Sequence, residues 1–505
     1  MHRASGERES TRSETRQEFR QWLQHCSLRV LPKPKIGEAV SYALDRWSAW
    51  GRYCEAGYLS IDNAERVAPA PRAATIGRVE FYSLCPFLSR ERAMQKNRNS
   101  IKACVMGILL AASTALAADP EGEWPGWRGP NRDGKSTETG LLAQWPDGGP
   151  ELLWKVDGLG GGYSSVAVSG GLVYITGLVD GTLTIFAFDL DGKRQWSTEV
   201  DTAAQRGPKA SRATPTIDDG KLYLLSGNAL LGCFDATTGQ KIWSSDLKQF
   251  GGKPGGWGYT ESVLIYNDLA VAKSGGENCI VALDKRTGET KWTSSGFDAG
   301  PEYSSCIAFT FEGKPLICTG TRGGLVCVDA ENGKLMWSND YSAGNTANCP
   351  TPVYSDGYVF WSNGYGRGGI CMKLKTDGDT VTADVAWTTK DMICHHGGYI
   401  VDQGRIYGNH SGGWACLDLK TGEQLWEERA VGKGSLCYAD GMLYLFSENG
   451  GVAGLATCSP QGLELKGQMQ VEGQGRSWAH PVVAGGRLYL RYAGNLYCFD
   501  VRNET

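Results

Sequence analysis

One kind of segment, closed each time by a tryptophan, comes back through the chain often enough to dictate its architecture. The segments are FAFDLDGKRQW ending at Trp196, CFDATTGQKIW at Trp243, VALDKRTGETKW at Trp292, VCVDAENGKLMW at Trp337, LKTDGDTVTADVAW at Trp387 and ACLDLKTGEQLW at Trp426. Successive closers stand 47, 49, 45, 50 and 39 residues apart. Self-similarity at that period means one small unit repeated side by side, because a unit of this size cannot bury its own apolar face alone. Each unit holds four short apolar runs, as in TPTIDDG followed by KLYLLSG, parted by glycine-rich turns. That pattern reads as a four-stranded sheet per unit. The 69 Gly and 19 Pro show no G-X-Y period, which excludes a collagen-like rod and fits many tight turns.

The Asp-x-x-Thr-Gly-x-x-x-Trp element has a mechanical reading. Asp235, Asp284 and Asp418 are placed to accept backbone N–H groups in the turn between third and fourth strands, while Gly239, Gly288 and Gly422 supply positive φ. The tryptophan then lies on the outer strand. An indole packed there against the next unit buries about 150–250 Å², worth roughly 4–6 kcal/mol gross. With Trp154 added, the docking residues are Trp154, Trp196, Trp243, Trp292, Trp337, Trp387 and Trp426. A degenerate eighth slot falls at GLELKGQ near residue 465, and the last segment, residues 478–501, supplies only three strands. ELLWKV, residues 151–156, is expected to add the missing outer strand and close the ring, leaving no free sheet edge there. The expected fold is therefore an all-β, eight-bladed β-propeller; seven blades is the alternative, because the unit around residues 430–475 is weak.

The repeats over residues 151–505 resemble the pyrroloquinoline-quinone (PQQ) repeat, and WPGWRGPNRDGKS, residues 124–136, resembles the signature that opens exported PQQ-like proteins of planctomycete bacteria. The chain is also similar in mature length to BamB, the propeller subunit of the outer-membrane barrel assembly machine. The resemblance implies a quinoprotein alcohol dehydrogenase-like propeller and does not by itself imply a bound quinone. For a dehydrogenase it implies PQQ with Ca2+ held by Glu, Asn and Asp, an adjacent-cysteine disulfide over the ring and a Trp beneath it. Glu261, Asn348 and Trp257 or Trp478 match fragments of that pattern. No adjacent cysteine pair exists, and Asp219, Asp356 and Asp440 fall in turns on the opposite rim, so no catalytic base is assigned.

Ahead of the repeats, MQKNRNSIKACVMGILLAASTALAADP from Met94 has basic residues before a short apolar run and an Ala-x-Ala end at Ala117. This reads as a signal peptide over residues 94–117, giving a periplasmic or extracellular product with no transmembrane segment in its mature chain. Residues 1–93 are Arg-rich and lack any repeat, and are read as a misassigned extension; residues 118–150 form an extended segment carrying the WPGWRGPNRDG motif. Residues 118–505 carry 33 basic and 44 acidic groups, a balance that argues against nucleic acid or an anionic membrane as partner. Envelope or outer-membrane proteins are the expected partners, and the protein is expected to be a monomer. Twelve of the 16 Cys lie after residue 117. Cys233, Cys327, Cys416 and Cys498 share one repeat position and read as small buried residues. One or two disulfides among Cys306, Cys318, Cys349, Cys371, Cys394, Cys437 and Cys458 stay open, and the absence of Cys-x-x-Cys-His gives no support for haem c.

In a propeller the inner strand begins at the mouth of the central channel. His395, His396, His410 and His480 map there, as do Tyr163, Arg212, Tyr259, Glu261, Tyr303, Asn348 and Trp478. Such a funnel suits a polar or planar ligand, and equally needs polar residues because it is wet. No metal site is assigned, since adjacent histidines on a strand point to opposite faces. Three readings follow: a non-catalytic binding or assembly scaffold of the cell envelope, a PQQ-dependent dehydrogenase of alcohols, polyvinyl alcohol or sugars, and a carbohydrate or small-molecule binder.

Overall fold

Tryptophan-capped hairpins of this kind do form a ring. The computed structural model describes residues 122–503. The extension at 1–93, the signal peptide at 94–117 and its cleavage point lie outside the described residues. Thirty-two strands make eight four-stranded antiparallel sheets, with blades at residues 167–202, 216–246, 264–293, 307–339, 353–389, 399–428 and 434–470. The eighth combines residues 482–500 with the strand Leu152–Val156, which pairs with Asn495–Asp500 and sets Trp154 opposite Cys498. No helix among the described residues is long and apolar enough to cross a membrane.

A tier of three side chains repeats across the middle of the blades. An aromatic of the second strand sits opposite a small residue of the third, itself opposite the tryptophan of the fourth: Tyr223, Cys233, Trp243 in blade 2 and Tyr407, Cys416, Trp426 in blade 6. The small residue leaves room for the two rings, which meet at centroid distances of 6.2 and 6.1 Å. Each indole then reaches the following blade. Trp154, Trp196, Trp243, Trp387 and Trp426 donate their N–H to the carbonyls of Leu190, Ala236, Lys285, Leu419 and Ser459. Asp235 accepts the Thr237 and Thr238 amides at 3.0 and 2.8 Å, and a Cβ on Gly239 (φ 73°) would come within 2.5 Å of the Trp196 ring. The turn glycine is thus required twice, by its backbone and by the indole lying on it. All twelve cysteines of the described residues are free thiols.

Blade 7 has Gly467 where the others have tryptophan, opposite Leu455. Trp145, from the segment before the first strand, fills that place: its amide donates to Lys466 O at 2.8 Å and its ring meets Tyr444 at 6.1 Å. The blade that looks degenerate in sequence is completed by a side chain more than 300 positions away along the chain.

The WPGWRGPNRDG segment is a plug across the channel end where first and second strands turn. Trp124 bridges Val168 of blade 1, Pro125 O accepts from Ile217 of blade 2, and Arg132 donates to Ser262 O and Val263 O leading into blade 3. Trp127 Nε1 donates to Thr351 Oγ1 before blade 5, Arg128 to Tyr399 O of blade 6, and Ser136 N to Tyr438 O of blade 7. Glu138 accepts the Gly485 and Gly486 amides of blade 8. Around the channel the residue two before each inner strand is a hydroxyl in most blades, and these link neighbours: His480 N to Ser165 Oγ, Ser165 N to Thr214 Oγ1, Thr214 N to Ser262 Oγ and Ser262 N to Ser305 Oγ, all at 2.9–3.0 Å. Blade 6 has Gly398 in the same register, one residue before its inner strand, and a Cβ there would meet Arg128 and His480.

Candidate functional site

At the other end of the channel the structure brings part of the expected set together. Tyr163, Trp478, His396, His395 and Tyr365 form an unbroken run of rings with centroid distances of 4.5, 4.6, 3.9 and 4.7 Å. His395 and His396 lie in a bend before the inner strand rather than on it. Their rings therefore stack at 28° instead of pointing to opposite faces as a strand would require. That expectation is corrected by the local backbone.

Charged groups border the run. Lys433 Nζ lies 3.1 Å from His395 Nδ1 and 3.1 Å from Glu448, whose other oxygen faces Arg476 at 3.3 Å, while His396 Nδ1 stands 3.8 Å from Glu448. Burial, with Lys433 beside it, pulls the His395 pKa down to about 4, so the ring is neutral at pH 7. The indole N–H of Trp478 and Nε2 of His396 are buried without a hydrogen-bond partner.

Other expected mouth residues are placed elsewhere. His480 is buried, 4.6 Å from the Trp127 ring, with Nε2 at 2.9 Å from His396 O; it forms the junction between plug and funnel. His410 turns away from the channel, accepting the Ile393 amide on Nδ1 and facing Glu427 of the outer strand at 3.7 Å. Tyr259 and Tyr303 are buried hydrogen-bonding groups, the first donating to Ser274 O and the second accepting the Trp257 amide. Arg212 is half-buried and donates to Pro208 O at 2.7 Å. Trp127, Tyr365, Glu448 and Arg476 were missed in sequence because none falls at the repeat position that begins an inner strand; Lys433 does fall there, directly before Gly434–Ala439, but belongs to the unit whose repeat pattern is weak.

Burial and the neighbouring Arg128 pull the His480 pKa down to about 3. An unfolded histidine titrates near 6.5, so between those values only the unfolded chain gains a proton, and stability present above pH 6.5 is lost as pH falls toward 3. Urea unfolding at pH 7 and pH 5 is expected to show a loss of about 2 kcal/mol from this residue. A His480→Asn variant, which cannot titrate, should show a correspondingly shallower pH dependence; an unchanged slope would refute the assignment.

Glu261 and Asn348 are the two residues that match fragments of the calcium-binding pattern the resemblance implies. Both are buried and committed elsewhere. Glu261 accepts the Lys273 amide and faces the Lys273 ammonium at 3.8 Å; that ammonium donates to the carbonyls of Ser304 and Gly320. A fixed lysine cation thus stands beside Glu261 where a metal ion would have to sit. The Asn348 carboxamide donates to Thr321 O and Ser342 O at 2.9 and 3.0 Å and accepts from Ser342 Oγ at 2.8 Å. Trp257 packs edge-on against Tyr303, and Trp478 is held between His396 and Tyr163. The residues present do not fit the quinone and its calcium.

Residues 184–428 match the family model described as outer membrane protein assembly factor BamB, built on the PQQ repeat. Over these residues the propeller is built of PQQ-like repeats. The fold of the propeller is that of BamB from Moraxella catarrhalis, with a TM-score of 0.50 at 14% identity over 70% of this chain and 98% of that one. It is equally that of quinohemoprotein alcohol dehydrogenase from Comamonas testosteroni, with a TM-score of 0.57 at 14% identity over 78% and 82% of the two chains. In sequence the propeller is 27% identical over 191 residues to the dehydrogenase subunit of the quinone alcohol dehydrogenase of Komagataeibacter europaeus, a match covering 34% of this chain and 25% of that protein. It thus spans about a quarter of the length of that relative. Residues 2–82 match a different family, the IS66 transposases.

Proposed function

We propose that this propeller is a non-catalytic binding or assembly scaffold of the cell envelope, exported after removal of residues 94–117. The observation that carries the reading is the commitment of Glu261 to Lys273 and of Asn348 to the carbonyls of Thr321 and Ser342, which leaves neither of these two side chains free to ligate a cation. The plug supports it from the other side, because it fills one end of the channel with Trp127, Arg128 and Arg132. The BamB family match over residues 184–428 is consistent with a partner-binding role at the rims or between blades. The separate family match of residues 2–82 supports Met94 as the working start.

The test is reconstitution with PQQ and Ca2+. The expected result is no stoichiometric quinone absorbance and no dye reduction with alcohols or sugars, together with co-purification of envelope proteins from the native host. Calcium-dependent dye reduction would overturn the reading in favour of a dehydrogenase.

A further inference from the structure

The plug hydrogen-bonds the inner strands, or the segments leading into them, of seven blades; blade 4 receives no hydrogen bond from it among the described residues. At that place lies a cavity of about 180 Å³, lined by Asn131, Arg132 and Asp133 of the plug and by residues 307–309 and 352–354 of blades 4 and 5. Its wall includes Phe309 and Tyr354, whose rings stack at 4.1 Å and 8°. An apolar cavity of about 150 Å³ holds a benzene ring. This one accommodates a single ring or a short branched chain with one polar group.

Arg132 supplies the charge in the wall. It is buried, its Nη1 and Nη2 donate to the carbonyls of Val263 and Ser262 at 2.8 Å, and its Nε is buried without a hydrogen-bond partner. Among the described residues no carboxylate stands within ion-pair distance of it. Glu261 faces Lys273, Lys135 is bridged to Asp402, and Asp133 accepts the Lys135 amide at 3.0 Å. Asp133 is the one group at the cavity that disfavours an anion; burial pushes its carboxyl up, and the Lys135 amide and Arg128 draw it back. Arg132 hydrogen-bonds only to carbonyls, with the Glu261 carboxylate acting on it from beyond ion-pair distance and its Nε unpartnered, an arrangement that a carboxylate in direct contact completes better than water or a neutral group does.

We infer that this cavity binds a small monocarboxylate carrying one ring or a short branched chain, its carboxylate meeting Arg132 and its apolar part packing on the Phe309 and Tyr354 side. The site lies on the plug side of the channel, away from the His395 to Trp478 run, and goes beyond the scaffold reading without depending on it.

Calorimetric titration of the full chain with benzoate and isovalerate, and with benzamide as the neutral isostere of benzoate, tests it. Saturable one-to-one binding of at least one acid is expected, with benzoate about tenfold or more tighter than benzamide. Arg132→Gln should weaken the acid about tenfold. Because that variant can fail to fold, Asn131→Trp at the exposed rim is the second: it should abolish binding with an unchanged unfolding transition. Equal binding of benzoate and benzamide, no saturation by either acid up to about 10 mM, or undiminished affinity in Asn131→Trp would overturn the inference.

Discussion

Lys273→Met should destabilise the propeller by about 3–5 kcal/mol, the usual cost of stranding one member of a buried ion pair. Three losses combine. The Glu261 carboxylate remains buried without its ammonium, and the Ser304 and Gly320 carbonyls of the next blade lose their donor. Burial already pushes the Glu261 carboxyl up, with Lys273 foremost among the groups holding it down. Adding Glu261→Gln to Lys273→Met should therefore return a good part of the loss, because the stranded charge is removed. Chemical denaturation of the single and double variants measures the coupling. If both unfold at the same denaturant concentration, the pair contributes nothing beyond packing.

Arg491 offers an internal control. It occupies the register position in blade 8 that Lys273 occupies in blade 3, and likewise reaches into the next blade, to Ser164 Oγ at 2.6 Å and Thr176 O. Ala479 stands where blade 3 has Glu261. Arg491→Met strands no carboxylate and should cost less than Lys273→Met.

The second large effect is expected at Trp145. Trp145→Ala should cost about 3–5 kcal/mol, in the range of other buried tryptophan truncations. The cavity would lie between Tyr444 and Gly467, and Gly467 has no side chain to fill it. Limited proteolysis should then cut first in the outer strand of blade 7, Leu465–Gln470, or the loop before it. Truncation of Trp257, a half-buried loop residue, should leave that pattern unchanged. Loss of stability without preferential cleavage there would show that Trp145 does not complete this blade.

The ring was legible because its signal is local and repeated. Each docking tryptophan announces itself within ten residues of an Asp and a Gly whose roles are fixed by the same turn. The closing strand at Leu152–Val156 was legible for a related reason, since the last unit is visibly one strand short. Trp145 was not, because the segment around it has no repeat partner and its seat is defined only by the absence of a side chain at Gly467.

The candidate site was half legible. Placing residues at the start of inner strands identified Tyr163, His395, His396 and Trp478, which do meet. The same rule named Glu261 and Asn348, whose register is close to that of the others but whose side chains are drawn into hydrogen bonds within the wall. Register fixes where a backbone lies. Whether a polar side chain then faces water or a neighbour depends on partners such as Lys273, which no spacing within the Glu261 segment reveals.

The placement of Trp145 and of the strand Leu152–Val156 sets an order of events during synthesis. Both belong to the first part of the described chain, and both find their seats only in the last two blades. A growing polypeptide must carry two unsatisfied apolar groups from its beginning through six blades, Trp145 until blade 7 is made and Leu152–Val156 until the final strand is. The first blade, meanwhile, has no preceding neighbour to dock upon it. Completion is therefore concerted: shortening the C-terminus by a single strand would unlatch both ends at once, rather than trimming one unit from an otherwise intact series.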